Sequence, residues 1–261
     1  MKEKKISNTH KLTISAMLIT TAIVLNYFRV MIPIGGAPVL SVSFGGPFIK
    51  MAGILFGPAF GSAAGAAVDL IVHLISPKGA YIWELTLVEF IKGGAIAFLF
   101  RKASKLHFSL YSALYIIVFF TIALLGAVNC IFAFGFPESE YSVLMNSIGA
   151  RTDYISIGLL AAGILGLAAH FSAYLLFARR NRNQSLYERY LRLLPVVGLP
   201  CIVLTIVNTF VLRRYGFFTS VPFIAICIPR VVEELLMVLF NTYVLSLLTM
   251  LYERTQKQKI L

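Results

Sequence analysis

Charge is scarce in this chain. Asp, Glu, Lys and Arg make up 13% of its 261 residues, against 59% hydrophobic residues and a mean hydropathy of +0.85. A soluble domain carries about 25% charged and about 45–50% apolar residues, and a single soluble core of this size still needs a polar skin. The imbalance excludes a soluble globular domain and a disordered chain alike. Cysteine is equally sparse: three, scattered, forming no disulfide framework. Acidic residues number 11 against 23 Lys and Arg, yet the basic excess does not gather on one soluble face, as nucleic-acid binding would require. Also lacking are a glycine-rich phosphate loop of Walker type, a soluble domain able to hydrolyse ATP, and an internal repeat relating two halves. What remains is an all-α integral membrane protein, a polytopic helical bundle.

Fifteen of the 23 basic residues sit in four short blocks between apolar stretches. They are Lys2, Lys4, Lys5 and Lys11; Arg101, Lys102 and Lys105; Arg179, Arg180, Arg182, Arg189 and Arg192; and Arg254, Lys257 and Lys259. The first block precedes an apolar run without a small-residue cleavage site, so it reads as a signal anchor that stays attached. Apolar stretches long enough for a ~30 Å hydrocarbon core cover residues 12–34, 83–100, 108–134, 154–178, 195–212 and 222–252. Residues 47–76 are long for one span and short for two, with turn punctuation at Gly57-Pro58-Ala59-Phe60-Gly61. Parity favours two: only then do all four basic blocks fall on the cytoplasmic side. About eight helices are therefore expected in one membrane domain over residues 1–261, with both termini cytoplasmic.

Ionisable residues within a span are costly and mark functional sites by default. Here they are Asp69, His73, Glu84, Glu89, Lys92, Arg230, Glu233 and Glu234, with Asn208 and Asn241 as polar company. The expected topology puts most of them in the outer leaflet. Carboxylates accept hydrogen bonds from heterocycle N–H groups, and Arg holds a carboxylate with two prongs. Rim aromatics such as Phe44, Tyr81 and Trp83 can stack a flat ring, although interface belts use the same residues. Three spacings also admit local pairing: Asp69 with His73, Glu89 with Lys92, and Arg230 with Glu234. Gly61 and Gly65, like Ala16 and Thr20, lie four apart and small. That spacing serves close helix packing within the chain or docking of another membrane subunit.

Several of these stretches resemble, in order, the substrate-binding S components of energy-coupling factor (ECF) transporters, folate-type branch. They are Leu40-Ser41-Val42-Ser43-Phe44-Gly45, Ala52-Gly53-Ile54-Leu55-Phe56-Gly57-Pro58, Gly65-Ala66-Ala67-Val68-Asp69-Leu70 and Gly79-Ala80-Tyr81. Asn208-Thr209, Tyr215-Gly216, Ile228-Pro229-Arg230-Val231 and Asn241-Thr242-Tyr243 continue the series. The resemblance covers roughly residues 12–101 and 195–252 as an S-component-like core. It implies six helices, capture of a vitamin such as folate or a pterin from outside, and toppling in the membrane. It also implies a coupling membrane subunit and two ABC-type ATPases on separate chains, which would use the ATP; no resident cofactor and no metal are expected.

Taken with the polar residues at membrane depth and the rim aromatics, the resemblance gives expected substrate contacts at Ser41, Phe44, Asp69, Trp83, Glu84, Asn208, Arg230 and Glu234, and it implies a gate at residues 40–44. Ala16 and Thr20 then match the coupling-subunit contact, with Gly61 and Gly65 as a second small-residue face. Residues 108–178 exceed six helices and read as an inserted transmembrane hairpin. Ser41 stands where the folate-type loop often has a basic residue, and Phe210-Val211 follow Asn-Thr where an aromatic is common.

The alternative is a self-sufficient, proton-coupled secondary transporter using Asp69, His73 or Glu89 as relay. An enzyme is not expected. Glu233-Glu234 resembles the paired glutamates of CAAX-type intramembrane proteases, but no Arg follows three residues later and no histidine motif completes that site. The expected location is a prokaryotic cell membrane.

Overall fold

A computed structural model describes residues 7–28, 30–34, 37–77, 79–103, 108–147, 152–175, 184–217, 219 and 222–258. Of the basic blocks, Lys2, Lys4, Lys5, Lys105, Arg179, Arg180, Arg182 and Lys259 lie outside the described residues. Apart from one short hairpin, the described chain is helical. The helices are α1 (Asn8–Tyr27), α2 (Gly46–Phe56), α3 (Pro58–Ile75), α4 (Trp83–Ala103), α5 (Phe108–Cys130), α6 (Glu140–Ser147), α7 (Thr152–Ala173), α8 (Gln184–Arg214) and α9 (Phe223–Gln258). Among the described residues, four stretches are long and apolar enough to cross a membrane: Pro58–Ile75, Tyr111–Gly135, Ile155–Ala173 and Tyr187–Arg214. The fold is that of a polytopic helical membrane protein.

The first helix is shorter than its apolar run. It ends at Tyr27 after 20 residues, which at 1.5 Å per residue already make about 30 Å. The chain then forms strands β1 (Val30–Ile34) and β2 (Ala37–Val42), paired with each other. Pro33 has no N–H for a helix interior, and the β-branched Val30, Ile32 and Ile34 favour an extended chain. The second arm of the hairpin therefore runs into the expected gate at residues 40–44.

Two compact units emerge. The first holds α1 to α4 together with the end of α9 from Leu247. Its α2–α3 break falls at Gly57, as the turn residues require, and that residue has φ 108°. With 11 residues, α2 is about 16 Å long, well short of a hydrocarbon core. Glycines set how closely these helices cross. A Cβ on Gly61 of α3 would stand 2.5 Å from the Gly93 carbonyl oxygen of α4, and one on Gly65 2.3 Å from that of Glu89. Gly53 of α2 meets Gly61 Cα at the same crossing, which leaves space for backbone alone.

The second unit holds α5 to α8, most of the hairpin, and α9 up to Ser246. Here α5 and α7 lie along each other, with Gly126 against Leu160 and Gly163 against Ala123 at backbone contact. A π-helical turn (Ile131–Gly135) extends α5, and α6 follows between it and α7. Glu140 and Ser139 start that helix, Ser139 Oγ accepting from the Ser142 backbone N–H. At its other end, α8 begins eleven residues before Pro195, because Tyr187, Tyr190, Leu191 and Leu193 continue its buried face. Pro195 and Pro200 lie within it. Tyr115 of α5 donates a hydrogen bond to the Gly166 carbonyl of α7 at 2.8 Å and stacks on His170.

Candidate functional site

Within the second unit, two helices face each other through a polar ladder. On α9, Arg230 and Glu234 are one turn apart, so both project on one side. Across from them, Thr205 and Asn208 of α8 are three apart and share a side likewise. Arg230 Nη2 donates to Asn208 Oδ1 at 2.9 Å, and Thr205 Oγ1 donates to Glu234 Oε2 at 3.1 Å. Arg230 and Glu234 do not pair with each other among the described residues; each is held from α8. Deeper along α8, Gly198 lets Val238 of α9 approach to 3.4 Å of where a Cβ would sit. A guanidinium fixed by one amide keeps further N–H groups for a second acceptor, and a carboxylate with one hydroxyl donor keeps open lone pairs. The ladder can therefore hold a guest carrying both acceptors and donors.

In the first unit, Asp69 of α3 anchors a second network. Thr86 Oγ1 of α4 donates to Asp69 Oδ2 at 2.6 Å, and the Tyr81 hydroxyl lies 2.7 Å from Thr86 Oγ1. Since the Thr86 hydrogen goes to the carboxylate, Tyr81 is the donor to Thr86. His73, expected beside Asp69, lies against Tyr81 instead, with ring centroids 5.1 Å apart. Lys92 and Glu89 do pair, at 2.6 Å. Trp83 opens α4 with 60% of its surface exposed, while Oε2 of the next residue, Glu84, is buried.

The start of α2 is fastened to α1. Ser43 Oγ donates to Asn26 Oδ1 and accepts the Gly45 N–H at 3.3 Å. Gly45 sits where a Cβ would come within 2.6 Å of the Ala22 carbonyl oxygen. Phe44, between these two anchors, is exposed. Of the expected gate residues, Ser41 has its backbone in β2, and its side chain falls outside what is described.

Among the expected substrate contacts, Asn208 and Arg230 are in direct contact, Glu234 is on the same ladder, and Phe44, Asp69, Trp83 and Glu84 belong to the first unit. The small-residue pairs divide. Ala16 and Thr20 are exposed on α1, and Thr20 Oγ1 donates to the Ala16 carbonyl at 2.9 Å. Gly61 and Gly65 are buried against α4. Of the two uses that spacing admits, these glycines serve packing within the chain: the helix they admit is this chain's own.

Thr86 and Thr205 complete both networks without being singled out by the sequence. Thr205 carries a usable signal, since it precedes Asn208 by three and so matches the four-residue step of Arg230 and Glu234. Thr86 carries none, because its partner Asp69 lies 17 residues away on another helix.

Comparison with known proteins gives one match of limited extent. The chain is 34% identical over 83 residues to the protein named folate transporter FolT of Clostridium novyi (strain NT), covering 32% of this chain and 45% of that protein. The chain thus spans less than half the length of the curated relative it matches. No protein-family model matches the chain, and no solved structure matches it.

Proposed function

We propose that this chain is the substrate-binding S component of an ECF-type importer, and that it captures a folate- or pterin-like solute. The single observation carrying this reading is the Asn208–Arg230 contact at 2.9 Å, made by residues of two stretches that resemble the family. The partial likeness to a folate transporter points the same way. In this account Arg230, oriented by Asn208, takes an acceptor edge or carboxylate of the substrate, and Glu234, held by Thr205, accepts from its N–H groups.

ATP would be hydrolysed by two partner ATPases and the work passed through a coupling subunit docking on the exposed Ala16 and Thr20 of α1. The test is equilibrium binding of folate to the purified protein, with Asn208→Ala and Arg230→Ala alongside. Saturable binding that weakens at least tenfold in both variants supports the reading. Equal affinity in all three proteins removes the proposed site.

One observation favours the proton-coupled alternative. The Tyr81–Thr86–Asp69 chain is an unbroken hydrogen-bonded path, as a proton relay needs. Liposomes containing this chain alone decide between them: uptake driven by a pH gradient without ATPases belongs to the carrier, and its absence to the S component.

A further inference from the structure

Helix α8 carries a measure of membrane thickness. Between Arg192 and Arg213 lie 20 residues, 193–212, without a formal charge. At 1.5 Å per residue these two arginines stand about 32 Å apart along the helix, close to the ~30 Å of a hydrocarbon core. They therefore fall at the two headgroup levels.

Both guanidiniums are part-buried and incompletely satisfied. Arg192 Nε and Arg213 Nη1 are enclosed without a hydrogen-bond partner, and among the described residues neither guanidinium has a hydrogen bond or ion pair. Glu188, four residues before Arg192, stands at pairing distance along the helix yet does not pair with it. Arg230, also part-buried, is bonded to Asn208.

An enclosed nitrogen fixes the plane of the guanidinium, so the outward N–H groups form a pre-set fork. Such a fork fits a phosphate better than a point charge does. At Arg192 the surroundings add to this: Arg189 lies one turn earlier, and Tyr111 of α5 is within electrostatic reach.

We propose that Arg192 and Arg213 each hold the phosphate of a phospholipid headgroup, fastening α8 to both faces of the bilayer. An anionic glycerophospholipid is the ligand at Arg192, where the basic block falls and surface potential adds attraction. The shared chemistry is a phosphate oxyanion, which free phosphate also offers, so the experiment separates the two. The protein does not need its transport partners for this binding, and the inference stands apart from the proposed function.

The test uses the full chain in detergent micelles, measuring the thermal midpoint with phosphatidylglycerol, phosphatidylcholine or inorganic phosphate added. Phosphatidylglycerol is expected to raise the midpoint by about 2–4 °C. Arg192→Gln should lose at least half of that gain, while Arg254→Gln, which removes an exposed charge from α9, keeps it. Native mass spectrometry of the wild type and the gentler Arg192→Lys and Arg213→Lys variants covers the case in which glutamine prevents folding. The wild type should retain bound phospholipid that either lysine variant sheds. Three results would overturn the proposal: the same lipid gain in Arg192→Gln as in the wild type, full reproduction of the gain by inorganic phosphate, or lysine variants that retain as much lipid as the wild type. A lipid-free midpoint lowered equally by Glu188→Gln and Arg192→Gln, with no lipid effect, would make Arg192 an ion-pair partner and overturn it too.

Discussion

Arg230 reaches from α9 to Asn208 on α8 at 2.9 Å, although Glu234 stands one turn away on its own helix. Local neutralisation within α9 was the simpler outcome for an arginine at membrane depth. The arginine's hydrogen bond goes to a neutral amide, while Glu233 and Glu234 act on it through their charges. Glu234 is held by Thr205 and, among the described residues, makes no ion pair with Arg230, so both groups keep hydrogen-bonding capacity for a guest. A site that keeps this capacity is suited to a polar guest.

Arg230→Ala is expected to weaken substrate binding at least tenfold, because a charged hydrogen bond to the guest contributes about 1.5–3 kcal/mol. Arg230→Lys should recover only part of this, since lysine keeps the charge but lacks the fork. Ligand titration of purified variants checks both. A fall in thermal stability with unchanged affinity would make the residue structural.

Thr86→Val should destabilise the protein by about 1–3 kcal/mol, and by more than Tyr81→Phe. Thr86 is the middle member that both accepts from Tyr81 and donates to Asp69. Removing it leaves a carboxylate short of a donor in a part-buried position. Removing the Tyr81 hydroxyl costs only the outer bond. Denaturation midpoints of the two variants give the order directly.

Gly61→Ala and Ala16→Leu separate the two small-residue pairs. The alanine would press a Cβ 2.5 Å from the Gly93 carbonyl oxygen, and overpacking of this kind costs about 1–3 kcal/mol. Ala16 is exposed, so the larger side chain should leave the isolated protein's stability unchanged. It should instead reduce capture of the coupling subunit in a co-purification assay. Loss of stability in Ala16→Leu would place that face inside the fold.

Gly57→Ala tests the α2–α3 corner. Its φ of 108° lies where L-residues are strained, and a Cβ would stand 2.2 Å from Arg101 Nη2. A loss of about 1–3 kcal/mol is expected from the backbone alone, because φ 108° with ψ 179° is a region that glycine alone enters readily, visible as a lower unfolding midpoint. Gly79, also at positive φ but with open space around it, should show the backbone cost without the clash.

The break at Gly57 was legible because glycine, proline and the odd length of residues 47–76 all point to it. The Arg230–Glu234 spacing was legible too, as was the Glu89–Lys92 pair. The hairpin after α1 was not, because Val30–Ile34 is apolar enough to pass for more helix, and Pro33 with three β-branched neighbours is a weak signal inside an apolar run. Neither was the choice of partner for Asp69, since contacts between helices carry no fixed sequence interval. Which helix Gly61 and Gly65 pack against needed the positions of Gly93 and Glu89, which spacing along one helix cannot supply.

The most direct measurement is mass spectrometry of small molecules that remain bound when the protein is purified from cells grown with vitamins. The account predicts a near-stoichiometric folate or pterin that is lost from Arg230→Ala. A wild-type protein that carries no such molecule, and takes up none when folate and pterins are titrated to saturation, would contradict it.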